Sequence, residues 1–454
     1  MNLLRKLFSI KSNAQALVLA TFLSPAFVLA ASPQSDLMDA IHAGDPIKTE
    51  VALSAGANPN KVLADGSLPL AWAVDAQSLS LVNILLKHGA KPDASKVSTQ
   101  NFSPLIEACQ WGDAAIVNRL LDAGADVNRA TASGISPLSL CAGNSTVAVV
   151  NRLIELGAKV DAADETGQTP LMWAAAKGQV PNIKLLVSKG ADVNRKTSAG
   201  FTPLFFAIKS PDAQSPLAVI DAGGDASYVA PDGTSAVQLA IYQKQFEFAA
   251  VLIKRGADLN AHDRNGNQLL HAAVLNHQPQ LVKLLLEKGT NPNALTGAAK
   301  VVTRFEVNFT SRPYVTYPKS PLLLAAELGD ADLMATLVSA GADTKFRAQD
   351  GTNVLLAAAP TNIQALAYAL KLAPDANVTT KSGKTALHLL MGYTSNLSHS
   401  TTEMHDMFQL LAKHGARTNI ADKDGDTAAK MALNEEFKAK IEFAQIFRPQ
   451  RLAL

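Results

Sequence analysis

Cysteine, net charge, long apolar runs and catalytic signatures are all scarce in this sequence, and each shortage removes a class of protein. Two cysteines in 454 residues exclude a disulfide scaffold. Charged residues at 18% beside hydrophobic ones at 48% exclude a solvated, coreless chain and leave material for a large core. No stretch holds the roughly 20 uninterrupted apolar residues of a membrane span, so a polytopic membrane protein is excluded as well. The 41 Lys and Arg nearly balance the 39 Asp and Glu. Setting aside Arg5, Lys6 and Lys11, which lie in the leader described below, leaves 38 bases against 39 acids. A nucleic-acid binder keeps a basic surplus to neutralise phosphates, and none is present. His-Glu-x-x-His, Gly-x-Ser-x-Gly and Gly-x-Gly-x-x-Gly are all missing. Gly383-Lys384-Thr385 imitates the end of a phosphate loop, but Val378 stands where the earlier glycine is required. The expectation is a protein without catalytic residues, metal or cofactor.

The first 30 residues read as a signal peptide. Arg5, Lys6 and Lys11 precede an apolar run from Ala16 to Ala30, and Val28-Leu29-Ala30 before Ala31-Ser32 suits a signal peptidase. The alternative is an uncleaved anchor, against which stand the shortness of the run and its break at Pro25. Cleavage near Ala30/Ala31 places the mature chain in the periplasm or outside the cell, and this segment does not decide between the two.

What is abundant is regularity. A Gly, then Ala or a near equivalent, then Asp, Asn or Lys recurs at Gly56, Gly89, Gly124, Gly157, Gly190, Gly223, Gly256, Gly289, Gly341 and Gly415. Six of the intervals are 33 residues. The last interval divides at Ala373, which opens Ala373-Pro374-Asp375-Ala376-Asn377 in the same register without the glycine. Repetition at this period means a solenoid, in which each unit buries its faces against its neighbours.

The unit from Asp164 to Asn194 shows the local logic. Asp164-Glu165-Thr166-Gly167 is turn chemistry. Thr169 is placed to cap a helix that begins at Pro170, where a missing N–H costs nothing. The helix carries Leu171, Trp173, Ala174 and Ala175, with the alanines allowing close approach of the next unit. A second helix after Gly178 carries Ile183, Leu185, Leu186 and Val187 and ends at Gly190, a left-handed cap. Trp72 and Trp173 share one register position, expected to be core.

Thr169-Pro170-Leu171 and Gly190-Ala191-Asp192-Val193-Asn194 closely resemble the ankyrin repeat. Related openings stand at Ser103, Ser136, Thr202, Ser320 and Thr385-Ala386-Leu387-His388. The resemblance runs from about Ser35 to Phe447 and implies an all-α solenoid of about twelve helix-turn-helix units with β-turn fingers, in an exported protein of bacterial type. The expected organisation is signal peptide 1–30, solenoid 31–448 and tail 449–454. The motif's histidine survives at His271 and His388, where a structural role is expected, and is replaced by Ile106, Met172, Phe205 and Leu323 elsewhere.

Two insertions break the metre. Between 295 and 319, Val301, Thr303, Phe305, Val307 and Phe309 alternate with polar residues, which predicts a strand. Ser311-Arg312-Pro313 is expected to turn the chain and Tyr314–Tyr317 to return it, completing an inserted β-hairpin that either projects as a recognition arm or folds back over the helices. The second insertion, 392–403, is rich in Ser, Thr and Asn and reads as a solvated loop. His399, Glu403, His405 and His414 lie near it, without the spacing of a known metal signature.

Cys109 and Cys141 occupy small-residue positions in consecutive first helices. Helices ~8 to 10 Å apart argue against a bridge between them. The resemblance implies binding of a protein along a concave face made of finger tips and the exposed ends of first helices. Those ends carry Gln110, Trp111, Asn144, Lys177, Lys209, Ser210, Tyr242, Gln243, Leu275, Asn276, Glu327 and Leu328, and the fingers carry Arg129, Arg195, Lys196, His262, Arg264 and Asp350. From the hairpin, Phe305, Phe309 and Tyr314 join them as candidates. Trp111 and Tyr242 stand out, since aromatic anchors concentrate binding energy. The reading is a non-catalytic scaffold for protein partners. Two alternatives remain: an exported effector that engages a host protein, or a hydrolytic or metal-dependent site built on the hairpin and the His-bearing loop.

Overall fold

The computed structural model describes residues 32–62, 67–93, 102–260, 262–263, 266–297, 300–305, 311–393, 401–434 and 443–447, with residues 300–305, 311–316, 393, 401, 433 and 434 described by backbone alone. Its elements come in helix pairs, a first helix led by proline or a hydroxyl residue in most units, by Gln268 and Asn353 in two, and an amphipathic second one. In chain order these are α1 (Pro33–His42) with α2 (Pro46–Ser54), α3 (Pro69–Asp75) with α4 (Leu79–Lys87), α5 (Pro104–Trp111) with α6 (Ala114–Asp122), and α7 (Pro137–Asn144) with α8 (Val147–Glu155). There follow α9 (Pro170–Lys177) with α10 (Val180–Ser188), α11 (Pro203–Ile208) with α12 (Gln214–Asp221), α13 (Ala236–Tyr242) with α14 (Phe246–Lys254), and α15 (Leu269–Leu275) with α16 (Pro279–Glu287). Strands β1 (Lys300–Phe305) and β2 (Ser311–Thr316) intervene before α17 (Pro321–Glu327) with α18 (Ala331–Ser339), α19 (Val354–Ala358) with α20 (Ile363–Leu372), α21 (Ala386–Tyr393) with α22 (Thr401–Lys413), and α23 (Ala428–Asn434). A last helical turn spans 443–446.

Every first helix packs on the next, from α1·α3 through α21·α23. One continuous core results, with Leu105, Leu138, Leu171, Leu204, Leu270 and Leu322 buried at corresponding positions of successive units. Small residues set the separation. A Cβ on Gly112 would come within 2.2 Å of the Asn144 carbonyl oxygen, and Gly112 itself takes φ 77°, so only glycine fits there. At this approach Cys109 and Cys141 lie 4.5 Å apart at Cα and are joined by a disulfide. The expectation of free thiols is therefore corrected: axial spacing between helices overstates the distance between facing residues where both sides are small.

Units are also tied by hydrogen bonds at the fingers. Asn194 donates its amide to the Gly223 carbonyl at 3.1 Å and accepts the Asp225 N–H at 2.9 Å. Asn60, Asn128 and Asn377 make the same pair of bonds to Gly89 and Lys91, Gly157 and Lys159, and Gly415 and Arg417. Asn293 reaches across the first insertion to Gly341 and Asp343 at 3.0 and 2.6 Å. The insertion thus leaves the stacking of its flanking units unchanged. Its strands pair antiparallel, from Lys300 with Thr316 to Phe305 with Ser311. Ser311-Arg312-Pro313, expected to be the turn, belongs to β2, and residues 306–310 lie outside the described residues.

Helix starts depend on which hydroxyl is present. Ser103, Ser136 and Ser320 accept N–H bonds from Ile106, Ser139 and Leu323. Thr169 was expected to do the same, but it makes no side-chain cap and its buried Oγ1 has no partner. Thr385 shows what the missing residue does. His388 Nδ1 accepts the Thr385 N–H at 3.1 Å and its hydroxyl at 2.8 Å, while Nε2 donates to the Asp426 carbonyl of the following finger at 3.0 Å. His271 bridges Gln268 N–H and the Ala294 carbonyl in the same way. Both histidines are buried structural bridges. At Thr169, Met172 takes the histidine's place, and the bridge is lost.

Burial lowers the His271 pKa to about 4, its hydrogen bonds to Ala294 and Lys319 offsetting only part of that cost. An unfolded histidine takes up its proton near 6.5, so between pH 6.5 and 4 the unfolded chain binds more protons. The neutral ring's contribution is complete above pH 6.5 and is lost as pH falls through that window. Denaturant titration at pH 7 and pH 4.5 is expected to show a stability loss about 2 kcal/mol smaller in His271→Met than in the parent. Separately, Asn194→Ala removes two inter-unit bonds and is expected to cost about 1–2 kcal/mol by the same measurement, with helix content by circular dichroism unchanged.

Candidate functional site

The first helices end in a row on one side of the stack. Gln110 and Trp111 close α5, Lys177 closes α9, Lys209 follows α11, and Tyr242 and Gln243 close α13, all exposed. Trp111 is 53% exposed, a large aromatic surface left in water. Leu275 is exposed at the end of α15, whereas Asn276 is half-buried and donates to the Ala272 carbonyl at 2.9 Å. Asn144 donates to the Gln110 carbonyl at 3.2 Å, Ser210 is buried, Leu328 is half-buried, and Glu327 pairs with Lys319 at 2.7 Å. Among the finger residues, Arg195 is exposed, Lys196 lies 4.3 Å from the Tyr228 ring centre, and Arg129 donates to the Asp93 carbonyl at 2.5 Å. Arg264 and Phe309 lie outside the described residues, as do the side chains of Phe305 and Tyr314.

Two depressions form where fingers meet these helix ends. One, of about 410 Å³, has Phe102, Ile135, Leu140 and Trp173 as its apolar walls and Gln110, Asn144 and Lys177 at its rim. The other, of about 520 Å³, has Phe201, Phe205, Phe206, Leu239 and Tyr242 as walls, with Lys209, Gln243, Asp232, Thr234 and Asp263 around them. Phe205 packs against Phe201 and Tyr228 at centroid distances of 5.6 and 6.1 Å, the first pair tilted and the second edge-on. The Tyr242 hydroxyl donates to the Asp263 carboxylate, which is buried and also accepts the Asn267 N–H at 2.8 Å. Tyr242 remains 38% exposed, so its ring is held in place while one face stays open.

Trp173 corrects an expectation. It is half-buried, not core; it walls the first depression, and its buried indole N–H has no hydrogen-bond partner. Trp72, its register equivalent, is half-buried as well and packs edge-on against His42 at 4.7 Å. The position they share, fourth after the residue that opens the helix and held by Leu140, Phe206 and Leu239 in other units, faces the depressions. Sequence reasoning missed this row because all its members there are apolar and read as packing residues. One signal was available: the leucine two residues before and the small residue directly after repeat from unit to unit, while this position changes from Trp72 to Glu107 to Leu140 to Trp173 to Phe206.

The histidine loop gathers no metal site in what is described. His405 Nε2 pairs with the Gln409 amide at 2.8 Å, His414 Nδ1 with the Leu410 carbonyl at 2.9 Å, and His399 lies outside the described residues. Among the described residues no three His, Cys, Asp or Glu side chains are grouped to hold an ion, and no helix is long and apolar enough to cross a membrane.

Stacked helix pairs, bridging histidines and finger ladders define a helical repeat solenoid. The chain belongs to the ankyrin-repeat family: three successive matches to the model described as "Ankyrin repeats" take in residues 37–131, 138–219 and 204–296. It is similar to Ankyrin repeat and SOCS box protein 6 of Homo sapiens and of Pongo abelii, each 34% identical over 137 residues. That alignment spans 29% of this chain and 31% of either relative. Ankyrin repeats make it a scaffold for protein–protein interaction.

The disulfide joins α5 to α7, one residue before Gln110 and three before Asn144 in sequence. Closing a 32-residue separation restricts the unfolded chain by about 3–4 kcal/mol in the loop-entropy model. Denatured but unreduced protein is expected to take up no alkylating agent, and two equivalents after reduction; Cys109→Ala/Cys141→Ala is expected to lower the denaturation midpoint accordingly.

Proposed function

We propose that this protein is an exported, non-catalytic scaffold that holds a protein partner along the concave face of the stack, in the periplasm or outside the cell. The observation that carries the binding surface is the row of exposed first-helix ends from Trp111 to Leu275, interrupted by two apolar depressions with polar rims. That is the anatomy of a recognition surface, an apolar centre that excludes water within a polar border. Exposed Gln110 and Lys177 stand at one depression, with Trp111 next to Gln110 at the end of α5, and Lys209, Tyr242 and Gln243 stand at the other. Arg195, Leu275 and Asn276 extend the row, and Arg264, Phe305, Phe309 and Tyr314 belong to the same proposed surface through the finger and the inserted hairpin. Export is supported by the basic and apolar leader before Ala31 and by the disulfide, which persists in an oxidising compartment.

Crosslinking in intact cells, followed by mass spectrometry of captured species, identifies the partner. Trp111→Ala combined with Lys177→Glu is expected to cut its capture at least about tenfold, the loss of one aromatic anchor, with an unchanged thermal midpoint. Undiminished capture would overturn the mapping. Tyr242→Ala is a poorer probe, since it also removes a hydrogen-bond donor from buried Asp263.

A further inference from the structure

The cleft between α11 and α13 has a floor that offers only apolar contact and a rim whose charges are unevenly committed. Its floor is Phe201, Phe206, Leu239 and the ring of Tyr242. Both acids at the rim already serve the protein. Asp263 accepts the Asn267 N–H and the Tyr242 hydroxyl, and Asp232 accepts the Thr234 N–H at 3.0 Å and its hydroxyl at 3.3 Å. Lys209 is the one base among the described residues lining the cleft. It is exposed, stands at the helix end, and forms no ion pair or side-chain hydrogen bond with any described residue.

We propose that this cleft takes the C-terminal residue of a peptide, an aromatic or large aliphatic side chain whose own main chain carries the terminal carboxylate on one side and the amide N–H on the other. The proposal rests on the scaffold reading above and supplies the chemistry of what the scaffold holds. Removing a large apolar side chain from water against this floor is favourable by roughly 1.5–3 kcal/mol. Lys209, a point charge on a flexible stem, reaches for the neighbouring anion. Asp232, which comes from the finger and not the helix, repels an anion at its own lip and favours the N–H of the ligand's main chain there. The ligand is thereby oriented, carboxylate toward the helix end and amide toward the finger. The Tyr242 ring is held by Asp263 before any ligand arrives, so little ordering is left for binding to supply. At about 520 Å³ the cleft holds such a residue with its main chain.

The test titrates the full chain with three peptides by calorimetry or ligand-observed NMR: an acetylated peptide ending Gly-Gly-Phe as the free acid, the same peptide as the C-terminal amide, and an amidated peptide with internal Phe-Asp. The free acid is expected to bind at least about tenfold more tightly than both the uncharged amide and the Phe-Asp peptide. Lys209→Gln, a change at an exposed position, is expected to erase that advantage while leaving amide binding and the thermal midpoint unchanged. Binding of the free acid no tighter than that of the amide or of the Phe-Asp peptide, equal binding by the parent and Lys209→Gln, or no saturable binding of any of them overturns the proposal. If peptides fail while the crosslinked partner is still lost in the Trp111 variant, this ligand class falls and the scaffold reading stands. Peptide binding that depends on Lys209 without any captured partner supports the cleft and removes the scaffold reading.

Discussion

A pair of helices eight or nine residues long cannot bury its own apolar faces, and everything in this molecule follows from that insufficiency. Each unit needs a neighbour on both sides, close enough for side chains to interlock, and the backbone must come nearly into contact where first helices meet. Gly112 facing Asn144 is the clearest instance, with no room for a Cβ. Ala174 and Ala175 of α9 and the alanines of α13 and α15, fully buried, serve the same demand. Close approach in turn brings the fingers within hydrogen-bonding reach, so the asparagine ladder and the histidine bridges are consequences of stacking as much as causes of it.

Much of this was legible because it repeats. A glycine recurring mostly at 33 residues marks the end of every second helix but α20, and those glycines take the positive φ that the reading required, Gly190 among them at 93°. His271 and His388 were legible for the same reason. What was not legible depended on distances that register alone does not contain. The Cys109–Cys141 bridge needed the actual separation of two facing small residues, 4.5 Å at Cα, and a generic interhelical distance pointed the other way. Thr169 looked like a cap, but a threonine in this fold relies on a histidine three residues on, and Met172 removes it. Trp173 looked like core because apolar side chains at helical spacing usually are. Only the placement of the fingers shows that its face is half open.

The two depressions illustrate how a repetitive scaffold acquires a particular surface. Backbone geometry is nearly constant from unit to unit, so difference enters through the few side chains that stacking does not constrain. Leu140 and Trp173 wall one depression, Phe206 and Leu239 the other, all from one register position. The irregular joint after α11 adds to this. Ser210-Pro211-Asp212 replaces the usual glycine turn, and the hydroxyl of Ser210 accepts the Asp212 N–H at 3.1 Å. The depression of about 520 Å³ opens beside that joint, between α11 and α13.

Asn293 reaching Gly341 over 48 residues of chain gives the joint after α16 an unusual freedom. Because the flanking layers are already clasped to one another, the intervening segment has no mechanical duty in holding them. Its length and composition can drift, or be exchanged for a different appendage, without disturbing the register of the layers on either side. The same clasp at Asn377 and Gly415 spans the second interruption, so the molecule carries two docking points for novelty built into an otherwise uniform column.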